Sequence, residues 1–144
     1  MKKVSDILAR KGLNVISISP ETTVLEALKL MADKNIGSVI IMSGSEFMGI
    51  MTERDYSRKV ILKGKSSTDT KVSEIMTVDF PPVSPGDSVE HCMELMSSHT
   101  IRYLPVFENN AITGIISISD LVKATIQGQE ETISQLKDYL HASM

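Results

Sequence analysis

Hydrophobic side chains recur along the chain at two spacings, one typical of helices and one typical of strands. Val24, Ala27, Leu28 and Met31 follow the i, i+3, i+4, i+7 spacing that places them on one face of an amphipathic helix. Residues 15–19 instead alternate between apolar and polar side chains, as a half-buried strand does. Because both patterns return further along the chain, the sequence predicts a mixed α/β protein.

The same succession of patterns occurs twice, and the second copy lies 65 positions after the first, as Asp55 and Asp120 illustrate. The helical stripe reappears at residues 89–96, and a further helix is predicted at 55–63 in the first copy. Between the two helices of each copy lie two short strands joined by a polar turn. These strands are predicted at residues 38–42 and 47–51, and at 103–107 and 111–117. Each copy therefore predicts the order β-α-β-β-α.

Each copy contains one polar signature, which consists of Gly, two apolar residues, Thr or Ser, two variable residues and Asp. The signature runs from Gly49 to Asp55 in the first copy and from Gly114 to Asp120 in the second. The glycine is expected to let a ligand approach the backbone closely. A repeat that keeps both its core pattern and its polar ending predicts two similar folded units, each with a similar site.

The signatures lie where a strand turns into a helix, and this geometry suits a nucleotide. At Thr52 and Ser117, free backbone N–H groups and the positive end of the helix dipole favour a phosphate. Asp55 and Asp120 stand one turn further on, where a carboxylate can accept hydrogen bonds from two adjacent ribose hydroxyls. The same residues also form acceptable capping boxes, which satisfy the helix end itself. Capping and ligand binding can coexist, so the spacing leaves both roles open.

Unequal spacing marks the boundaries of the copies. Residues 4–8 are echoed by residues 72–76 at an offset of 68 instead of 65, so the first copy carries extra residues. They predict a looser loop around residues 10–14. The expected organisation is a first repeat at residues 4–63, a linker at 64–71, a second repeat at 72–127 and a carboxyl-terminal helix at 128–144.

Composition narrows the classes of partner. The net charge of −3 offers no general attraction to nucleic acid or to an anionic membrane, and an aromatic content of 4% is low for a base-stacking surface. No apolar run approaches the roughly 20 residues that span a bilayer. Charged residues interrupt the amino terminus, so a secretory signal is not expected. The single Cys92 excludes an internal disulfide framework and agrees with a cytoplasmic location.

Cys92 follows His91, but the helical register argues against a metal site or a reactive pair. Cys92 takes the core position that Ala27 holds in the first copy, and His91 takes the exposed position of Glu26. Consecutive residues do not share a helix face, and burial raises the pKa of a thiol. We therefore expect no metal site and no catalytic residue here.

Two β-α-β-β-α copies that each contain this signature resemble a tandem pair of cystathionine-β-synthase (CBS) domains. The resemblance covers about residues 4–126, and residues 36–39 and 101–106 are similar to strands of the family's two repeats. Residues 52–67 are similar to small stand-alone CBS-pair proteins of bacteria and plant organelles, which carry no attached enzyme or channel. The resemblance implies an α/β (α+β) fold in which the two repeats pack with pseudo-two-fold symmetry.

The resemblance also implies a function. CBS pairs bind adenosine-containing ligands such as AMP, ATP, NAD or S-adenosylmethionine in clefts between the repeats, without a catalytic cofactor, and two pairs usually join as a dimer. Carried over to this chain, the implied nucleotide-binding residues are Ile16, Ser17, Gly37, Ser38, Val39, Thr52, Arg54, Asp55, Val83, Arg102, Tyr103, Pro105, Ser117, Ser119 and Asp120.

Differences between the copies predict unequal sites. Arg54 and Arg102 stand where the resemblance places contacts with phosphate, although a solvated arginine remains the alternative for each. Tyr103 is able either to stack on a base or to cover the sheet. We predict that one site binds more tightly, and the sequence leaves open which one.

Two hypotheses of function follow. The first is a non-enzymatic sensor that binds an adenosyl ligand in the inter-repeat cleft and transmits the ligand state to a regulated partner protein. The second is a ligand-independent dimerisation or interaction scaffold, in which both signatures are helix caps. A homodimer is expected in either case, and Ile133, Leu136 and Leu140 on one side of the last helix support it. An enzyme acting on nucleotides lacks a plausible base or metal cluster.

Overall fold

The computed structural model describes residues 2–12 and 15–142, and over these ranges it contains five α-helices and two small sheets. The helices are α1 (Val4–Lys11), α2 (Val24–Lys34), α3 (Glu53–Tyr56), α4 (Val89–His99) and α5 (Ile118–Ala142). The strands are β1 (Ser17–Ile18), β2 (Ser38–Ser43), β3 (Glu46–Thr52), β4 (Tyr103–Glu108) and β5 (Ala111–Ser117). The predicted mixed α/β fold, with a helix and a strand pair in each copy, is confirmed.

The chain divides into two compact units, and neither is a contiguous stretch. The β3 unit contains the described chain from residue 15 as far as Phe80, together with Asn109–Ile112. The α5 unit combines α1 with Pro81–Glu108 and with the chain from Thr113 onward. The segment that opens each copy in the sequence is thus found in the unit of the other copy. The residue limits given above for the repeats along the chain stay a prediction.

In the β3 unit, β2 lies between a parallel β1 and an antiparallel β3. The predicted stripe of α2 is buried in the core beneath this sheet. Val72 and Ile75, from the start of the second copy, complete the same core. Thr77 follows them, and its N–H and C=O pair with the C=O and N–H of Ile50 at 2.9 and 3.0 Å. These bonds tie residues 72–77 to β3.

In the α5 unit, β4 and β5 form a two-stranded sheet, and Val83 makes a parallel bridge to Val106. The N–H groups of Val4 and Ser5 donate to the carbonyls of Asp87 and Pro85 at 2.9 Å each, which anchors α1. The core of this unit consists of Val4, Ile7, Leu8, Val83, Val89, Cys92, Met96, Leu104, Val106, Ile116, Leu121 and Ala124.

The helix after the first signature is shorter and less regular than the predicted span of residues 55–63. α3 begins at Glu53 and ends at Tyr56, and a π-helical turn, Ser57–Ile61, continues the chain. Gly64, at a φ of 66°, ends this segment, because glycine takes the left-handed conformation without strain. Single π-turns often occur beside functional sites, and this one carries Lys59.

Two other helix ends differ from the sequence analysis. Instead of a loop around residues 10–14, α1 continues to Lys11 and ends at Gly12, while residues 13 and 14 lie outside the described residues. α5 is one continuous helix, whereas a separate helix was expected at 128–144, of which 143 and 144 also lie outside the described residues. Over the described ranges, no helix combines the length and the apolar character needed to cross a bilayer.

Candidate functional sites at two strand-to-helix junctions

The first junction joins β3 to α3 at Thr52, and it holds Asp55 in a closed network. Oδ2 of Asp55 accepts hydrogen bonds from the N–H and Oγ1 of Thr52 at 2.9 and 3.1 Å. Oδ1 accepts from Oγ1 of Thr77 at 2.8 Å and lies 3.0 Å from Nζ of Lys59. Only 7% of the Asp55 side chain is exposed. Because a carboxylate has about four acceptor positions, these partners already use its capacity.

Other predicted site residues collect around the first junction. The carbonyl of Gly37 accepts a hydrogen bond from the N–H of Glu53, the first residue of α3, at 3.1 Å. Ser38 stands opposite Thr52 in the pairing of β2 with β3, and both are buried. Arg54 is exposed on α3. The first junction therefore brings Gly37, Ser38, Thr52, Arg54 and Asp55 together. The hydroxyl of Thr52, however, is already bonded to the carboxylate of Asp55.

The second junction joins β5 to α5 at Ser117, and it leaves Asp120 more open. Oδ2 of Asp120 accepts from the N–H of Ser117 at 2.8 Å and from Nζ of Lys11 at 2.9 Å. Both of these bonds use Oδ2, and 15% of the side chain is exposed. The side chain of Asp120 thus has acceptor positions available that Asp55 lacks.

The surroundings of the second junction are also more polar and more accessible. Oγ of Ser117 accepts from the N–H of Asp120 at 3.2 Å and lies 3.0 Å from Oγ of Ser119, which is exposed. The carbonyl of Arg102 accepts from the N–H of Ile118 at 2.9 Å, which places Arg102 and its neighbour Tyr103 beside the start of α5. Five predicted residues of the second copy therefore lie around the start of α5, namely Arg102, Tyr103, Ser117, Ser119 and Asp120.

Five further predicted residues lie on strands or strand-like segments. Ser17 is exposed on β1, and Ile16 is half-buried next to it. Val39 and Val83 are buried in the cores of their units, and Pro105 is buried in β4. The side chains of the last three are thus committed to packing within their own units.

Gly49 and Gly114 are close-packed for a different reason from the one expected. A Cβ at Gly49 would lie 2.9 Å from the carbonyl oxygen of Thr77 and 3.1 Å from Sδ of Met76. A Cβ at Gly114 would lie 2.9 Å from Cδ2 of Leu8. The expectation that these glycines admit a ligand is wrong, because in each unit the segment that opens the other copy fills the space.

Three residues of these networks were missed in the sequence analysis. Lys59 and Asp55 are four positions apart on a helix, a spacing that is known to bring opposite charges together and was available as a signal. Thr77 and Lys11 reach the junctions from distant parts of the chain, and no local pattern marks them. Lys11 also donates to the carbonyl of Ile115 at 2.9 Å, so one amine bridges β5 and α5.

A cavity of about 60 Å³ lies beside Asp120 within the α5 unit. Its other lining residues are the basic Lys2, Arg10, Lys11 and Lys123, the acidic Asp6, and Ile7, Ala124 and Gln127. Pockets that enclose whole drug-sized ligands measure about 300–1,000 Å³, so this cavity has room for one part of a nucleotide, such as a phosphate group. A carboxylate beside several cations suits a ligand that carries both hydroxyls and an anionic tail.

Cys92 is fully buried in the core of the α5 unit, as its register predicts. Burial raises the pKa of this thiol to about 11, and the charge of Asp87 adds to the effect. In the part of the chain that the structure describes, no group of three or more His, Cys, Asp and Glu side chains is placed to hold a metal ion.

Comparison with known proteins gives a family match over both copies. The family model described as CBS domain matches residues 4–61 and 72–126. The mitochondrial CBS domain-containing protein CBSX3 of Arabidopsis thaliana is 34% identical over 146 residues, which covers 95% of this chain and 71% of that protein. The CBS domain-containing protein YhcV of Bacillus subtilis is 31% identical and covers 84% of each chain.

Solved structures show the same likeness. A protein with CBS domains from Burkholderia ambifaria is 42% identical, with a TM-score of 0.84, over 89% of this chain and 96% of that chain. The predicted resemblance to tandem CBS domains in small bacterial and plant-organelle proteins is thereby confirmed.

Proposed function

Because the chain belongs to the CBS-domain family and carries two copies of that domain, we propose that it binds an adenosyl ligand at the second junction and regulates a partner protein. The candidate ligands are AMP, ATP, NAD and S-adenosylmethionine. The observation that carries the proposal is the unequal use of the two carboxylates. The bonds of Asp55 occupy both oxygens, whereas those of Asp120 to Ser117 and Lys11 are both on Oδ2, and its side chain is the more exposed of the two.

The ribose is the part of the ligand that Asp120 suits best. A carboxylate with a free oxygen can accept hydrogen bonds from the adjacent 2′ and 3′ hydroxyls, and a partly desolvated site strengthens such bonds. Ser117 and Ser119 add hydroxyl groups next to it. The proposal therefore predicts that both ribose hydroxyls contribute to affinity.

The anionic part of the ligand has cations within reach. Lys11 already lies 2.9 Å from Asp120, and Lys2, Arg10 and Lys123 line the same cavity. Charge-assisted hydrogen bonds from lysine and arginine to phosphate are stronger than bonds between neutral groups. This arrangement supports a phosphate-bearing ligand over S-adenosylmethionine, whose sulfonium centre is positive.

Lys11 offers a route from the ligand to the shape of the module. In the described structure its amine connects α1 to β5 and α5 through Ile115 and Asp120. A ligand whose ribose hydroxyls bond to Asp120, or whose phosphate bonds to Lys11, competes with these bonds. Because a ligand shifts an equilibrium only by binding two states differently, this competition supplies the required difference. The altered position of α1 would then change the affinity for a regulated partner.

The proposed module is non-enzymatic, and its bound nucleotide is a signal that is not converted. We place it in the cytoplasm, on the grounds of its single buried cysteine. The Arabidopsis relative is named as mitochondrial, so a reducing compartment within an organelle is the alternative location.

Isothermal titration of the whole chain with AMP, ATP, NAD and S-adenosylmethionine tests the proposal. Asp120→Asn should weaken binding by about tenfold or more, since it removes the charge that holds the ribose hydroxyls. Asp55→Asn is the matched control and should leave the affinity within about twofold. 2′-Deoxy-ATP should bind more weakly than ATP. Absence of heat with every ligand at millimolar concentration would reject the proposal.

The ligand-independent scaffold remains the second candidate, and the first junction is the observation that favours it. There, Thr52 and Asp55 form a complete capping box, with both reciprocal hydrogen bonds present. If both junctions are only caps, Asp120→Asn and Asp55→Asn will lower thermal stability without altering any titration.

A further inference from the structure

The carboxyl-terminal half of α5 has a surface that the proposed nucleotide site does not use. α5 packs through Leu121 and Ala124 near its start, but every residue from 129 to 141 is exposed. This stretch is about 20 Å long. A helix that short is marginally stable in water when it is not packed, and most helical stability in proteins comes from packing of an apolar face.

Apolar residues form a continuous stripe along this helix. Ile118, Val122, Ile126, Ile133 and Leu136 are all exposed, with 57% of Leu136 accessible. At 100° per residue they fall within an arc of about 80°. A narrow stripe of this kind is typical of the seam between two paired helices, and it is interrupted only at Gln129.

The charged residues beside the stripe match those of a second copy of α5. Glu130 and Lys137 are seven residues apart, so they lie on the same flank of the stripe, one on either side of its centre between Ile133 and Leu136. If a second copy of α5 runs antiparallel about that centre, Ile133 faces Leu136 of the second copy. In that register Glu130 faces Lys137 of the second copy, and the two-fold axis repeats each contact.

Other arrangements lose this match. In a parallel pair in register, Glu130 and Lys137 would face Thr125 and Thr132 of the second copy, and no opposite charges would meet. Glu131 lies on another face of α5, where it pairs with Lys2 at 3.0 Å, and so remains compatible with pairing along the stripe. Charges on the flanks of a helical seam generally set partner choice and orientation.

We propose that two copies of this chain associate through their α5 helices, antiparallel and centred between Ile133 and Leu136. The partner is a second copy of the chain, and the contact comprises two Ile133–Leu136 pairs and two Glu130–Lys137 pairs. The contact gives the expected homodimer a specific geometry on the exposed half of α5. It does not depend on ligand binding at the second junction.

Sedimentation equilibrium of the whole chain tests the apolar part of the contact. Wild type should be a dimer at micromolar concentration, and Leu136→Glu should weaken dimerisation by about 100-fold or more, because the change acts twice across the axis. Gln135→Glu adds the same charge about 140° around α5 from the centre of the stripe, away from Glu130 and Lys137, and should leave the dimer intact. A monomeric wild type, or a dimer that survives Leu136→Glu, would overturn the proposal.

A charge exchange tests the orientation. Glu130→Lys alone places two lysines opposite each other, and Lys137→Glu alone places two glutamates opposite each other. Each single variant should dimerise about tenfold more weakly than wild type. An equimolar mixture of the two variants restores both opposite-charge pairs and should form a heterodimer in native mass spectrometry. A mixture that yields only the two homodimers would exclude the antiparallel register.

Discussion

The two junctions are built from the same signature, yet their carboxylates are used differently. At the first junction, Thr52, Thr77 and Lys59 surround Asp55, and 7% of its side chain is accessible. At the second, Ser117 and Lys11 bond one oxygen of Asp120, and 15% is accessible. A signature therefore marks the position of a possible site, whereas residues elsewhere in the chain decide whether that site is open.

The source of the difference lies in the segment that each unit takes from the other copy. In the β3 unit that segment pairs its backbone with β3. This pairing places the neutral hydroxyl of Thr77 where it donates a hydrogen bond to Asp55. In the α5 unit the segment is α1, and its last residue sends a long cationic side chain to Asp120. A lysine can move away when a ligand arrives, but a hydroxyl fixed by backbone pairing cannot do so as easily.

The largest expected effect is a difference in protein stability between variants that lack one or the other carboxylate. Asp55→Ala should lower the free energy of unfolding by about 2–4 kcal/mol, since it removes a cap, the acceptor of the Thr77 hydroxyl and the ion pair with Lys59. Asp120→Ala should cost about 1 kcal/mol, the typical value for a lost cap. Urea denaturation of both variants measures the difference. Equal losses would contradict the prediction, because they would show that the two networks contribute equally to the free energy of unfolding.

Next in size is the contrast between the two glycines. Gly49→Ala should cost about 2 kcal/mol, because its Cβ meets the backbone oxygen of Thr77, which cannot move without breaking β3 pairing. Gly114→Ala should cost less than about 1 kcal/mol, since the contact is with the end of the Leu8 side chain. Thermal unfolding of both variants is the measurement. A larger loss at Gly114 would mean that α1 is held more rigidly than β3.

A smaller effect is expected when the first junction is made to resemble the second. Thr77→Val keeps the shape of the side chain but removes the hydroxyl that bonds Oδ1 of Asp55. The loss of this bond should cost about 1 kcal/mol. Titration with ATP should then reveal a second, weaker site in the variant. Unchanged stoichiometry, with wild-type stability, would show that Thr77 does not close the first junction.

The last expected effect appears only above pH 9 and concerns the twin core positions of α2 and α4, which hold Ala27 and Cys92. The ordinary pKa of a cysteine thiol is 9.0, and burial raises that of Cys92 to about 11. Between these values the unfolded chain loses the proton while the folded chain keeps it, so stability should fall as the pH rises from 9 to 11. Cys92→Ala should remove this part of the pH dependence in denaturant titrations. If the stability of wild type and of Cys92→Ala falls equally between pH 9 and 11, the raised pKa of Cys92 is contradicted.

Local patterns were sufficient to predict the elements that are local in the chain. The stripe of α2 and its twin in α4 carry a helical period. Thr23 and Ser88, residue types that favour the start of a helix, cap them by accepting bonds of 3.2 and 3.0 Å from the N–H groups of Glu26 and His91. Asn109 and Asn110 both have positive φ, as a tight hairpin turn requires. In these cases short-range physics decides the structure.

Long-range packing was beyond the reach of the same patterns. The echo between residues 4–8 and 72–76 was visible, but nothing in it indicates that each segment packs in the unit of the other copy. For that reason Thr77 and Lys11 were missed as partners of the two carboxylates. The roles of Gly49 and Gly114 were misread for the same reason, because their neighbours are distant in sequence.

The position of α1 also has a consequence for synthesis on the ribosome. α1 is translated first, yet the core it enters includes Leu104, Ile116 and Leu121, which are translated much later. Most of the β3 unit can fold once Phe80 has emerged, but Val4, Ile7 and Leu8 must wait for α5. Until then the apolar side chains of this segment are exposed on the nascent chain. We therefore expect a chaperone to bind its first residues.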